Sequence, residues 1–227
     1  MTTATITRQA KKVLRPLYPN LTMKDKYKLY DINTIGYLDI ESSGLTADFD
    51  IMLSYAILVR NITTERTVIL SGVVNQKDFE LARKEENADL IDKRIMENLI
   101  HDIEGIDTLI GHWFVGKHRH DMPFIRTRCA INNIQGLPKH KQVRYGDTQK
   151  WGSALYRNHN NSLDTLAKMF NVRTKKTNLD RKQWVNACIG VKSALDYILT
   201  HNIHDVKITY QVHKGLEEYV PIPSTYY

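Results

Sequence analysis

Gly36-Tyr37-Leu38-Asp39-Ile40-Glu41-Ser42-Ser43-Gly44-Leu45 is the stretch that decides how this chain reads. Residues 35–40 are mostly apolar, and Ser-Ser-Gly behind them is a turn signature. Residues 35–40 therefore read as a buried β-strand. Its two acids, Asp39 and Glu41, stand two apart, so a strand turns both carboxylates to one face. Anions held side by side on a rigid strand repel and raise one another's pKa. One account is a strand that ends at a polar edge. The other is a cation between the carboxylates, and all-oxygen sites of this kind suit Mg²⁺ or Mn²⁺.

The elements around this strand predict an α/β domain. Residues 51–59 and 66–74 are rich in Ile, Leu and Val and read as two more strands, which form an antiparallel meander with the first. Residues 87–103 carry apolar side chains at helical spacing. Residues 108–111 read as a short strand, 123–132 as a helix, 143–148 as a fifth strand and 162–170 as a helix. Residues 191–199 and 202–216 read as two final helices. Three strands followed by alternating helices and strands imply a mixed sheet flanked by helices, with the first strand central. The expected organisation is a basic N-terminal extension at 1–33 with a short helix at 8–17, one domain at 34–220, and a tail at 221–227.

The chain has 227 residues, 42% of them hydrophobic, enough for one domain with a sizeable core. No apolar run reaches the roughly 18–20 residues that span a bilayer. The first residues lack the apolar core of a secretory signal. Two cysteines, Cys129 and Cys188, make neither a disulfide framework nor a cysteine zinc site, so a reducing, cytosolic setting is expected. The formal charge of +7 is unevenly spread: residues 1–30 carry +6, residues 46–111 carry −6 and residues 112–182 carry +11. A basic arm and a basic middle suit a polyanion, and nucleic acid is the usual one; solvated surface charge is the alternative.

Two further acids stand out. Asp121 follows Gly111-His112-Trp113-Phe114 and a basic insert, and precedes Met122-Pro123-Phe124. Local sequence favours a helix N-cap for it, with a metal ligand as the alternative. Asp205 lies in His201-Asn202-Ile203-His204-Asp205-Val206. If Asn202 caps the last helix, Asp205 completes a capping box, a role that does not exclude metal binding. His112, His118 and His120 have no cysteine beside them and match no zinc signature, so their insert reads as a basic loop. Trp151, Tyr156 and Trp184 read as core or rim aromatics, with base stacking as the alternative.

Asp-x-Glu on a first strand, a middle Asp after a Gly-His segment, and a last Asp in Asn-x-x-Asp-Val together resemble the DEDD 3′–5′ exonuclease superfamily, whose fold is ribonuclease H-like. The resemblance runs from about Tyr37 to Leu216 and is greatest to small, stand-alone exonucleases of phages and prokaryotes. It implies that Asp39, Glu41, Asp121 and Asp205 are metal-binding carboxylates for two Mg²⁺ or Mn²⁺ ions. Two such metals serve phosphodiester hydrolysis by activating water and stabilising the leaving oxygen. The resemblance gives Asp39 the bridging position, Glu41 and Asp205 the nucleophile side, and Asp121 the second ion.

One branch of the superfamily has a histidine five positions before the last Asp, and another a tyrosine four before it. Here those positions are Thr200 and His201, so His201 is the candidate general base. The alternative for His201 is a surface residue between two helices. The resemblance also implies nucleic-acid contacts by Leu45, as a wedge at the terminal base, and by Gly44, through close backbone approach. The basic block at 173–182, with Lys175 and Lys176 at its centre, is a candidate phosphate grip. The expected protein is a cytoplasmic nuclease acting on single-stranded or frayed 3′ ends, DNA rather than RNA, in the host cytoplasm if phage-encoded. The rival expectations are a structure-specific endonuclease on the same fold and a nucleic-acid-binding module with a degenerate site.

Overall fold

β1 (Thr34–Ser42) is the middle strand of a five-stranded sheet ordered β3-β2-β1-β4-β5. The computed structural model describes residues 22–116, 119–139, 141–174 and 180–223. β2 (Met52–Asn61) and β3 (Thr67–Val73) continue from β1 as an antiparallel meander. β4 (Thr108–Gly111) pairs parallel with β1, and β5 (Arg144–Asp147) pairs parallel with β4. The domain is therefore α/β, with an open mixed sheet whose direction of growth switches at β1. Crevices at the carboxyl ends of strands beside such a switch are where open α/β sheets place their sites.

The register leaves room there. β4 pairs only with Ile35–Tyr37, so Asp39 to Ser42 extend past it. Along β1, Asp39 and Glu41 are half-buried positions in a strand that is otherwise buried from Ile35 onward. They share a face with Ile35 and Tyr37. Across β2 their partners are small, Ala56 and Ser54. A bulge between Glu41 and Ser42 then ends the regular ladder.

The two faces of the sheet carry different helices. α1 (Met23–Leu29), α5 (Thr148–Leu155) and the middle of α8 (Lys192–Leu216) share one: Tyr27, Tyr37, Ala56, Leu58, Ile110 and Val206 form its core. α2 (Gln76–Lys84), α3 (Lys93–Asp102) and α4 (Asp121–Ile131) share the other, around Leu38, Ile57, Phe79, Leu99 and Ile125. α6 (Leu163–Met169) packs under the last turns of α8, and α7 (Arg181–Cys188) packs against α8.

The strands fall where the sequence places them, shifted by a residue or two. The helices differ more. The spacing at 87–103 resolves into a 3₁₀ turn, Ala88–Leu90, and a shorter α3. α2, α5 and α7 form at polar segments the apolar pattern did not mark. The two final helices are one: α8 runs unbroken through Thr200–Asn202. At the predicted break Thr200 is exposed but His201 and Asn202 face inward, so the 3.6-residue repeat of buried positions continues through Ile198, His201, Asn202, Asp205 and Thr209. Asn202 is therefore no helix cap. Of the N-terminal segment, residues 22–33 fold against the domain, with Tyr27 and Ile32 buried. The helix expected at 8–17 lies outside the described residues. No described helix is long and apolar enough to cross a membrane.

Candidate functional site

The site forms where β1, α4 and α8 meet at the carboxyl edge of the parallel strands. α8 sends three polar side chains toward β1. Asn202 Nδ2 donates to Asp39 Oδ2, while Asn202 Oδ1 accepts from Ser54 Oγ at 3.3 Å. The amide thus bridges β1 and β2 and fixes one oxygen of Asp39. His201 Nε2 lies 3.8 Å from Glu41 Oε1 and 3.8 Å from Asp205 Oδ2. His201 and Asp205 stand one helical turn apart, so they share a face. One donor atom each from Glu41, His201 and Asp205 lie within 4.8 Å of one another. His201 is 2% exposed, which removes the alternative reading of a surface histidine between helices.

Asp121 enters from the other side. It is the first residue of α4, and His120 occupies the cap position, so the cap reading is corrected as well. Its carboxyl group is 4% exposed, and Oδ2 has no hydrogen-bond partner among the described residues. Burial pushes the Asp121 carboxyl well above the usual carboxylate range, and the charges of Asp39, Glu41 and Asp147 push it further. A carboxylate without a cation is at its least favourable in such a place. Glu41, His201 and Asp205 thus form one cluster; Asp39 is tied to α8 beside it through Asn202, and Asp121 lies near enough to feel the charges of Asp39 and Glu41. Glu41, His201 and Asp205 could together hold a divalent cation, and the orphaned oxygen of Asp121 fits an oxygen-rich site of this kind.

The rim is ordered by side chains. Asp50 ties down the loop after β1, accepting from Ser43 Oγ at 2.9 Å and from Thr46 N at 3.0 Å. This explains Gly44: a Cβ there would meet the Asp50 carboxylate at 2.5 Å. The loop holds Leu45 at 84% and Phe49 at 86% exposure, two apolar side chains beside the acids. Ser42 Oγ lies 3.2 Å from His120 Nε2 and joins the end of β1 to the segment before α4. Burial lowers the pKa of His120, against the opposing charge of Asp50.

Three residues of the site's surroundings escape sequence reasoning. Asn202 looks like a cap, Ser54 like any strand residue, and Asp147 like the end of a strand. Asp147 is 3% exposed, caps α5 through Gln149 N and Lys150 N, and also accepts from Phe114 N at 2.9 Å. The one signal for Asn202 is that it keeps the buried repeat of α8. Trp151 stacks on His213, Tyr156 packs edge-on to Phe170, and Trp184 packs against the larger core, so all three follow the core reading. Lys175, Lys176 and His118 lie outside the described residues. Comparison with family models and with curated proteins finds no match.

Proposed function

We propose that the chain is a divalent-metal-dependent 3′–5′ exonuclease on a ribonuclease H-like fold, acting on single-stranded or frayed nucleic-acid 3′ ends. One observation carries this reading: Glu41, His201 and Asp205, from β1 and α8, lie within 4.8 Å of one another, and the charges of Asp39 and Glu41 act on the buried Asp121 of α4. Repulsion among these like charges opposes folding, so their closeness suits a cation. Asp39, Glu41, Asp121 and Asp205 would hold Mg²⁺ or Mn²⁺, which supplies Lewis acidity toward water and the leaving 3′-oxygen when bound.

The chain's own groups divide the remaining work. Asn202 holds one oxygen of Asp39 in place and so aims the other. His201 Nε2, between Glu41 and Asp205, is placed to accept the proton of the attacking water. The exposed Leu45 and Phe49 flank the acids and offer apolar contact to the terminal base. The +11 charge of residues 112–182 favours a polyanionic strand, in a cytoplasmic setting.

The test is digestion of a 3′-labelled single strand of DNA or RNA with Mg²⁺, Mn²⁺ or EDTA. Stepwise release of nucleoside monophosphates is expected with metal and none with EDTA. Asp39→Asn should abolish hydrolysis while melting at or above the parental temperature in EDTA, because it removes one of the clustered charges. Parental activity in Asp39→Asn, or metal-independent release, sinks the proposal. Cleavage of a closed circular strand converts it to an endonuclease.

A further inference from the structure

Trp113 lies in the segment between β4 and α4 and is 47% exposed, while the next residue, Phe114, is fully buried. Its φ is +60°, in the left-handed region that bulky side chains rarely adopt. Phe114 explains the turn: its ring packs over Gly111, where a Cβ would meet it at 2.5 Å. Turning Phe114 in turns Trp113 out. The strained backbone is held by His120 N, which donates to Trp113 O at 2.9 Å, and by Met122 N, which donates to Phe114 O at 3.1 Å. These bonds tie the backbone at Trp113 and Phe114 to the segment that opens α4.

One face of that indole is covered. The Arg119 guanidinium lies 4.2 Å from the ring centroid. Arg119 is itself anchored: Nη1 donates to Gln149 Oε1 at 2.7 Å, and Nε lies 3.8 Å from Asp147 Oδ2. A guanidinium carries five N–H donors, more than these two contacts engage. A strained backbone that presents a large aromatic to solvent, backed by an anchored cation, serves a ligand better than it serves the fold. Core packing needs Phe114, not Trp113.

We propose that Trp113, backed by Arg119, forms a stacking platform for one unpaired base of a single-stranded nucleic acid. The proposal rests on the nuclease reading and deepens it. The indole's other face takes the base. Stacking of this kind tolerates every base, because each has a π-face. Arg119 contributes a planar cation that stays charged at any working pH. The platform borders the carboxylates through Asp147, so a base seated there belongs to the strand whose end lies in the pocket.

The test is equilibrium binding without metal in an Asp39→Asn background. The probe is a fluorescent single strand of roughly 12 nucleotides, within the range of single-strand sites. Trp113→Gly should weaken binding about 10- to 100-fold, the equivalent of roughly 1–3 kcal/mol for one stacked base. The same change should hold or raise the melting temperature, since glycine adopts a positive φ freely. Trp113→Phe should bind within about threefold of the background, because it keeps a stacking ring. Undiminished affinity in Trp113→Gly overturns the platform and leaves the nuclease reading standing, as does a Trp113→Phe affinity no better than that of Trp113→Gly. If the unmutated chain neither binds nor degrades the strand, the nuclease reading fails and the platform with it.

Discussion

Asn202 shows how much of the site rests on a neutral residue. Its amide satisfies one oxygen of Asp39 and one hydroxyl of β2, and it is fully buried. An aspartate there would add a further charge to the acids, and a leucine would remove the Asn202 hydrogen bond to Asp39. Asn202→Ala is expected to lower Mn²⁺ affinity or hydrolysis about 10- to 100-fold, the usual cost of losing a group that orients a ligand. Calorimetric titration of Mn²⁺ checks it, and unchanged affinity together with unchanged hydrolysis would refute the positioning role. Asp39 and Glu41 were legible because two acids interrupt an apolar run at the spacing of a strand face. Asp121 read better as a cap and Asp205 had a strong capping-box reading, so both stood out only through a family resemblance. Asn202 and Asp147 were illegible for the same reason, since polar residues near helix starts are commonplace.

At the scale of elements, α8 and α4 do most of the assembly, and each holds a buried polar group that hydrophobic patterning misreads. In α8 the buried polar pair His201 and Asn202 sits where a break was expected. In α4 the decisive residue is Arg128, 1% exposed. Its Nε and Nη2 donate to Asp92 at 2.8 and 2.9 Å, and its Nη1 reaches Asp89 at 2.8 Å and the Ala47 carbonyl at 3.2 Å. Asp92, with no exposed surface, also accepts from Met52 N at 2.9 Å and from Asn132. One guanidinium thus ties α4 to the start of β2, to the turn before α3 and to the loop that carries Leu45 and Phe49. Arg128→Ala strands a buried carboxylate and is expected to cost about 3–5 kcal/mol. Urea denaturation of the two proteins measures it, and a loss under about 1 kcal/mol would show that water compensates Asp92. The strands were readable because a buried run needs no partner to declare itself. The helices of polar sequence were not, because their one apolar face is set by what they pack on.

Across the whole molecule, charge is sorted by depth as well as by sequence. The acids meet the middle of α8, and its C-terminal end buries a histidine. His213 is fully buried: Nδ1 meets Tyr37 Oη at 2.8 Å, Trp151 stacks on its ring, and Nε2 has no hydrogen-bond partner among the described residues. Burial lowers its pKa from 6.5 to about 4; Arg60 and Lys214 act in the same direction and Glu217 opposes them. Above pH 6.5 the imidazole is neutral in both the folded and the unfolded chain and has no effect on stability. As pH falls from 6.5 toward 4, the unfolded chain binds a proton that the folded one refuses, so stability drops by up to about 3 kcal/mol and then levels off. Asp121 acts with the opposite sign, because its raised pKa makes the folded chain bind its proton first and gain stability as pH falls. The two effects overlap in a single denaturation curve, and substitution separates them. His213→Gln removes the histidine's contribution alone. The stability difference between parent and His213→Gln should therefore shrink steadily from pH 6.5 to about 4, as the parent loses stability that the variant keeps. A difference that stays constant across that range would mean His213 accepts its proton in the folded state, with Glu217 and not burial deciding its charge.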